Sequence, residues 1–160
     1  MNTPLSDDSI KKFVRNVIKY DELENISAKK LLAHLPVVIL YETKPNFGHW
    51  TLLHKLNNGN IEFFDSYGFK PDTEFKLISP EYQYPHYLMN LLKELSKLTQ
   101  IHYNQYQLQS KSPGVSTCGR WCILRRLYPD LNIDQFKEGI DSVARGMGIS
   151  NDQYVTKAIP

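Results

Sequence analysis

The sequence has few cysteines and no long apolar run, and both shortages limit what the chain can be. Only two of its 160 residues are cysteines, Cys118 and Cys122. Two thiols four positions apart cannot form the disulfide framework of a small secreted domain, so they fit a reducing compartment. The longest apolar stretch, residues 35–41, is far shorter than the ~20 residues that a bilayer span needs.

A strong charge of one sign is also missing. The 19 basic and 17 acidic side chains leave a formal net charge of +2, which gives no electrostatic case for a dedicated nucleic-acid or membrane binder. Asp7 and Asp8 stand where a signal peptide would be basic, so we expect the protein to stay where it is made. We expect a monomer that needs no cofactor.

The length of 160 residues and the 41% hydrophobic content predict a single domain, residues 1–160, with its own core. Apolar residues at helical spacing from Ile10 to Ile18 predict a first helix. The Asn57-Asn58-Gly59-Asn60 turn predicts a hairpin between segments 49–56 and 61–67. Other segments predict helices at 27–34, 85–98, 134–143, 152–158 and from 118, and strands at 37–41 and 101–108. The fold class is therefore α+β, with a small mixed, mainly antiparallel sheet surrounded by helices.

Cys118 lies where the polar loop of residues 109–117 gives way to a helix. A thiol at a helix start is close to unpaired backbone amides and to the positive end of the helix dipole, which lower its pKa and favour the thiolate. Gly119 has no side chain, so we expect it to let a substrate backbone approach the sulfur. Cys122 lies one turn further along and is expected to pack in the core. The alternative is that Cys118 is also a small buried hydrophobe.

A thiolate nucleophile needs an imidazole as its proton partner, and His49 is the best candidate among the five histidines. It begins a predicted strand directly after a glycine-containing loop, which makes it accessible. Trp50 beside it can shape a substrate cleft. His54 lies in the same predicted strand but at the opposite parity, so its side chain should point to the other face of the sheet.

Asp65, on the second hairpin strand, is the candidate acid that orients His49, and the hairpin register decides whether it can reach the imidazole. A plain two-residue turn would place Asp65 opposite Leu52, so that its side chain would project from the face of the sheet opposite to His49. A three-residue loop at 57–59, with Gly59 left-handed and a bulge, would place both side chains on the same face. We predict the second register.

Gln109 is the candidate donor for an oxyanion. It ends the predicted strand and precedes the loop to Cys118, so its side-chain amide and the Cys118 backbone N–H could together hold a developing negative oxygen. Gln107 and Gln105 belong to the same alternating stretch and remain rivals for this role.

A zinc site is an alternative interpretation of the thiols, and its ligands would be Cys118, Cys122, His49 and His54. Cysteines at this spacing are uncommon zinc ligands, so we predict no metal.

The order His49-Trp50, Asp65, Gln109, Cys118-Gly119 resembles the adenovirus-endopeptidase and ubiquitin-like-protease superfamily of cysteine proteases. The chain is most similar to the versions encoded by double-stranded DNA viruses, virophages and related mobile elements. The interval from Gln109 to Cys118 is longer than in that family, so either the loop between them bulges or Gln109 is not the oxyanion donor. The similarity runs from residue 6 to residue 128, and its most specific segments are 48–51, 64–69 and 116–122.

The resemblance implies a permuted papain-like fold and a cysteine endopeptidase that acts on protein substrates. It implies cleavage after small residues, at Gly-Gly or Gly-X sites, because Trp50 and the loop before Cys118 can leave a narrow slot. It also implies processing of viral capsid or core precursors during virion maturation. The protein would then act in the host cytoplasm or viral factory and be packaged in the virion, and a peptide or DNA could serve as its activator.

Other functions stay open at this point. An enzyme of the same fold could remove ubiquitin-like or SUMO-like tails, or transfer an acyl group from the same cysteine. From a different class, the chain could be a catalytically silent interaction module that keeps the fold.

Overall fold

The computed structural model describes residues 3–160, which form one five-stranded sheet with helices on both of its faces. Short 3-10 segments lie at Tyr20–Asn25, Thr73–Leu77 and Pro80–Tyr82. The strands are β1 (Asn16–Lys19), β2 (Val37–Lys44), β3 (Phe47–Lys55), β4 (Ile61–Phe64) and β5 (Ile101–Tyr103). The helices are α1 (Asp7–Lys11), α2 (Ala28–Ala33), α3 (Tyr87–Leu95), α4 (Cys118–Arg126), α5 (Ile133–Met147) and α6 (Asn151–Ala158). The predicted α+β class is confirmed.

The sheet follows the order of the chain, from β1 at one edge to β5 at the other. The two central pairings, of β3 with β2 and with β4, are antiparallel. Both edge strands run parallel to their neighbours, so the prediction of a mainly antiparallel sheet is wrong at the edges. Helical connections explain this, because α2 between β1 and β2, and α3 between β4 and β5, return the chain in the same direction.

The hairpin between β3 and β4 has the predicted register. Leu52 pairs with Phe64, not with Asp65, along a ladder that continues to the loop. The loop has three residues, 57–59, and Gly59 is left-handed with φ of 91°. Asp65 directly follows β4 and therefore projects to the same side as His49.

The predicted first helix is wrong beyond its first turns. α1 ends at Lys11, and residues 16–19 form β1, in which Val17 pairs with Val38 of β2. Phe13, which the helical stripe would bury, is 53% exposed. The apolar side chains of β1 are β-branched at Val17 and Ile18, and the free edge of β2 offers them backbone partners that an isolated helix lacks.

The predicted strand at 101–108 ends at Tyr103. Beyond it, the Asn104 side chain donates hydrogen bonds to the carbonyl oxygens of Asp65 (2.6 Å) and Tyr106 (3.0 Å). The backbone N–H of Gln109 donates to the carbonyl oxygen of Ser66 at 3.0 Å. The chain therefore leaves the sheet but stays beside the turn that follows β4, which brings Gln109 close to Asp65.

Two apolar clusters fill the spaces on either side of the sheet. One face of β2 and β3 packs against α1, α4, α5 and α6, through side chains that include Leu40, Trp50 and Leu52. The other face packs against α2 and α3 through side chains that include Ile39 and Leu53. Among residues 3–160, no helix is both long enough and apolar enough to span a bilayer.

Candidate active site

Cys118 is the first residue of α4, as the sequence predicts, and its side chain is 7% exposed. The backbone N–H of Trp50 donates a hydrogen bond to its Sγ at 3.4 Å. Thr117, the N-cap residue, uses its hydroxyl to bond Asp152 rather than to cap the helix. Thr117 therefore does not cap α4, and the first backbone N–H groups of a helix have no partners within the helix itself.

His49 and Asp65 form a buried pair. His49 is the third residue of β3 and is buried, so the prediction of an accessible histidine at the strand start is wrong. His49 Nε2 donates to Asp65 Oδ1 at 2.9 Å, and their side chains are 5% and 2% exposed. Asp65 lies one residue beyond β4 and begins a turn, where the Tyr67 N–H also donates to Oδ1 at 2.7 Å. The carboxylate thus has two donors that fix its orientation and offset the cost of burying its charge.

Gly68 closes the turn that carries Asp65. Its N–H donates to the Asp65 carbonyl oxygen at 2.9 Å, and its φ of 81° is a conformation that favours glycine. A Cβ at this position would lie 2.8 Å from the carbonyl oxygen of Tyr106. The turn can therefore approach the segment after β5 only because this residue has no side chain.

The pKa of His49 is raised well above its ordinary value. Burial by itself lowers it, but the charge and hydrogen bond of Asp65, together with the nearby sulfur of Cys118, outweigh burial. An imidazole placed between a carboxylate and a cysteine sulfur favours its protonated form, which is the form that pairs with a thiolate. This cluster can therefore support nucleophilic chemistry at sulfur.

Cys122 is fully buried in the core, as predicted. Burial, followed by the charges of Cys118 and Asp65, raises the pKa of its thiol well above the ordinary value. Cys122 therefore stays protonated and packs as a small apolar side chain.

Gln109 is the buried member of the three candidate glutamines, whereas Gln105 and Gln107 are exposed. The Ser66 hydroxyl donates to Gln109 Oε1 at 2.7 Å, and Gln109 Nε2 donates to the Val115 carbonyl oxygen at 3.4 Å. The amide is thus turned with its N–H groups toward the loop that leads to Cys118. The role of Gln109 as an oxyanion donor stays a prediction.

Trp50 and Gly119, predicted as substrate contacts, lie against each other. Trp50 is 6% exposed and borders a cavity of about 220 Å³ that reaches α1 and β1. A Cβ on Gly119 would lie 3.3 Å from Trp50 Cδ1 and 3.2 Å from Ile10 Cδ1. Protein atoms fill that space, which corrects the expectation that it is left open for a substrate backbone. A contact of either residue with substrate stays a prediction.

The four side chains of the zinc reading do not come together. His54 points to the opposite face from His49, where its Nε2 lies 3.0 Å from Glu62 Oε1, and Cys122 is enclosed in the core. Glu74 instead lies beside His49 and Asp65. The 2.9 Å between His49 and Asp65 is a hydrogen-bond distance, shorter than the roughly 3.3 Å between two ligands of a tetrahedral zinc ion. We therefore assign no metal to this group.

Asp152 of α6 is a site residue that the sequence did not indicate. Its Oδ1 accepts from Thr117 Oγ1 at 2.6 Å and from Trp121 Nε1 at 3.1 Å, and its Oδ2 accepts from the Ser110 N–H at 2.8 Å. One carboxylate thus holds both ends of the loop between Gln109 and Cys118. Its partners lie more than 30 residues away in the chain, so no local motif could reveal it.

Tyr67 was missed as well. Its ring stacks on the imidazole of His49 with centroids 4.7 Å apart and planes inclined by 16°. The sequence places Tyr67 two residues after Asp65, and only the turn closed by Gly68 brings its ring over His49. The stacking restricts rotation of the imidazole between its two partners.

The structure defines an α+β protein in which a cysteine, a histidine and an aspartate meet at one end of a mixed sheet. The sequence is 37% identical over 147 residues to the uncharacterized protein V9 of Sputnik virophage, a match that covers 88% of this chain and 80% of V9. The chain therefore belongs to the same family as V9. No protein-family model matches the sequence. The viral origin of V9 agrees with the expectation of a viral protein, and its name states no activity.

Proposed function

We propose that this protein is a cysteine endopeptidase with Cys118 as nucleophile, His49 as proton carrier and Asp65 as the acid that orients it. The observation that carries the proposal is the position of His49, which is hydrogen-bonded to Asp65 and interacts with the sulfur at the start of α4. The raised pKa of His49 supports an imidazolium beside the sulfur as the resting form of the histidine.

In the acylation step, the Cys118 thiolate attacks the carbonyl carbon of the scissile peptide bond. A carbon–sulfur bond forms, and the electron pair of the carbonyl moves to its oxygen. Gln109 and the Cys118 backbone N–H stabilise this oxyanion. The imidazolium of His49 then gives its proton to the amine nitrogen as the carbon–nitrogen bond breaks.

The second half of the reaction releases the acyl group. Neutral His49 accepts a proton from water, whose oxygen attacks the thioester carbon. The carbon–sulfur bond breaks, which returns the thiolate and the imidazolium and releases a carboxylic acid. Asp65 keeps the imidazole in one orientation throughout, because it holds Nε2 and leaves Nδ1 for the sulfur.

For substrate, we propose cleavage after small residues, at Gly-Gly or Gly-X sites of viral capsid or core precursors. The near-complete burial of Cys118 and of its neighbour Trp50 supports a narrow approach to the sulfur. Because only a reduced sulfur can attack, the proposal also requires a reducing compartment before the protein is packaged in virions.

The test is a cleavage assay with peptides that contain Gly-Gly-X and with a folded ubiquitin-like fusion. We expect wild type and the matched control Cys122→Ala to cleave the peptides, and Cys118→Ala to lose all turnover. Preference for the folded fusion over peptides would replace the endopeptidase by a deconjugating enzyme. No turnover of either substrate, with Cys118 still reactive, would contradict the proposal and favour a silent interaction module.

A further inference from the structure

Glu74 is a buried acid that the proposed mechanism does not use. It lies in the 3-10 segment Thr73–Leu77, and its side chain is 7% exposed. Within the described part of the chain, its Oε2 is the buried side-chain oxygen that has no hydrogen-bond partner. A carboxylate in such a position costs free energy unless a positive charge lies nearby.

The neighbours of Glu74 are the members of the candidate site. One carboxylate oxygen of Glu74 lies within 4.8 Å of a ring nitrogen of His49 and of a carboxylate oxygen of Asp65. Lys111, from the loop before α4, is the other cation that acts on Glu74, and its side chain is exposed. The imidazolium of His49 is therefore the one buried positive partner that this geometry offers to Glu74.

Opposing influences act on the ionisation of Glu74. Burial, together with the charge of Asp65, raises the pKa of Glu74 above its ordinary value, while the charges of His49 and Lys111 oppose this rise. The interaction between Glu74 and His49 is reciprocal, so an ionised Glu74 must stabilise the protonated imidazole by the same amount.

We propose that Glu74 is a positioning residue, a second counterion that together with Asp65 keeps the imidazole of His49 protonated beside Cys118. The groups that face His49 are Asp65 and Tyr67 from the turn after β4, Cys118 from α4, and Glu74 from the segment that follows the turn. The inference rests on the proposed function, because it assigns Glu74 to the thiolate and imidazolium pair.

The test compares Glu74→Gln with wild type by NMR titration of His49 in protein labelled on its histidine rings. Removing a negative charge at this distance should lower the pH at which His49 loses its proton by about one unit. The thermal midpoint should stay the same or rise, because the amide removes a buried charge. Glu81→Gln, on the exposed surface of a neighbouring 3-10 segment, is the matched control and should change neither value.

The outcomes separate this inference from the proposed function. An unchanged His49 midpoint in Glu74→Gln, or a variant that no longer folds, would overturn the counterion role. Glu74→Asp, which keeps the charge, should have a His49 titration midpoint close to that of wild type. The NMR titration needs no substrate, so a shifted midpoint in a protein that cleaves no peptide would uphold the counterion and reject only the peptidase.

Discussion

Gln109 illustrates how a single side chain is placed by its neighbours rather than by its own element. The Ser66 hydroxyl fixes Oε1, and the backbone of Gln109 is bound to the Ser66 carbonyl oxygen. Ser66 in turn follows Asp65, so one turn after β4 orients both the acid and the amide. The two side chains should therefore act as one rigid group in the proposed reaction.

We predict that Gln109→Ala lowers kcat by about 100- to 1,000-fold with little change in KM, because an oxyanion donor acts mainly in the transition state. Gln105→Ala is the matched control, since this exposed glutamine lies four residues away on the same segment. Steady-state kinetics on a Gly-Gly-X peptide give kcat and KM for both variants. The reverse ranking of the two variants would show that the donor is misassigned.

The sequence could predict Cys118, His49 and Asp65 because each lies in or beside an element that a local pattern marks: a helix start for Cys118, and the two strands of a hairpin for His49 and Asp65. It could not predict Glu74 or Asp152. Each of these acids has its role through contacts with residues far away in the chain, and an acid in a short helical segment is in most proteins exposed.

At the level of elements, α4 is fixed to the sheet by a buried ionic network. Arg125 donates from Nε and Nη2 to the two oxygens of Glu62, at 2.7 and 2.9 Å, and His54 Nε2 lies 3.0 Å from the same carboxylate. Burial lowers the pKa of His54. Burial acts to raise the pKa of Glu62, but the hydrogen bonds from His54 and Arg125 outweigh burial, so the pKa of Glu62 is lowered. The network thus joins α4 to β3 and β4 and sets the position of Cys118.

Arg125→Met should therefore lower the free energy of unfolding by about 3–5 kcal/mol, because it leaves the Glu62 carboxylate buried with one partner fewer. Arg145→Met, on the exposed surface of α5, is the control and should have little effect. Urea denaturation measures both. Equal stability of the two variants would mean that the network does not fix α4.

The elements also show which sequence patterns were decisive. The hairpin register followed from the loop at 57–59, because a left-handed Gly59 restricts the turn to few geometries. The stripe from Ile10 to Ile18 predicted one helix, but Val17 and Ile18 instead found a strand partner in β2. Periodicity within the segment could not reveal a free strand edge elsewhere in the fold.

On the scale of the whole molecule, the carboxy-terminal α6 reaches the candidate nucleophile through Asp152. Its carboxylate binds Ser110, Thr117 and Trp121, so the last helix of the chain holds both ends of the loop beside Cys118. The pattern of predicted helices and strands indicated the α+β class, but the parallel edges of the sheet and this long-range contact depend on how the connections cross the molecule.

We predict that Asp152→Asn slows peptide cleavage by about 10- to 100-fold, because the amide cannot accept from donors on both of its ends and the loop shifts. Asp130→Asn, an exposed acid after α4, is the control. Turnover and the rate of Cys118 alkylation should fall together. A lower thermal midpoint with unchanged alkylation would limit Asp152 to a structural role.

The central claim, that Cys118 is a nucleophile activated by His49, is tested most directly by alkylation with iodoacetamide and mapping of the adduct by mass spectrometry. We predict that Cys118 reacts before Cys122 at neutral pH, and that His49→Ala slows the reaction at Cys118 by about tenfold or more. Earlier modification of Cys122, or an unchanged rate at Cys118 in His49→Ala, would contradict the claim.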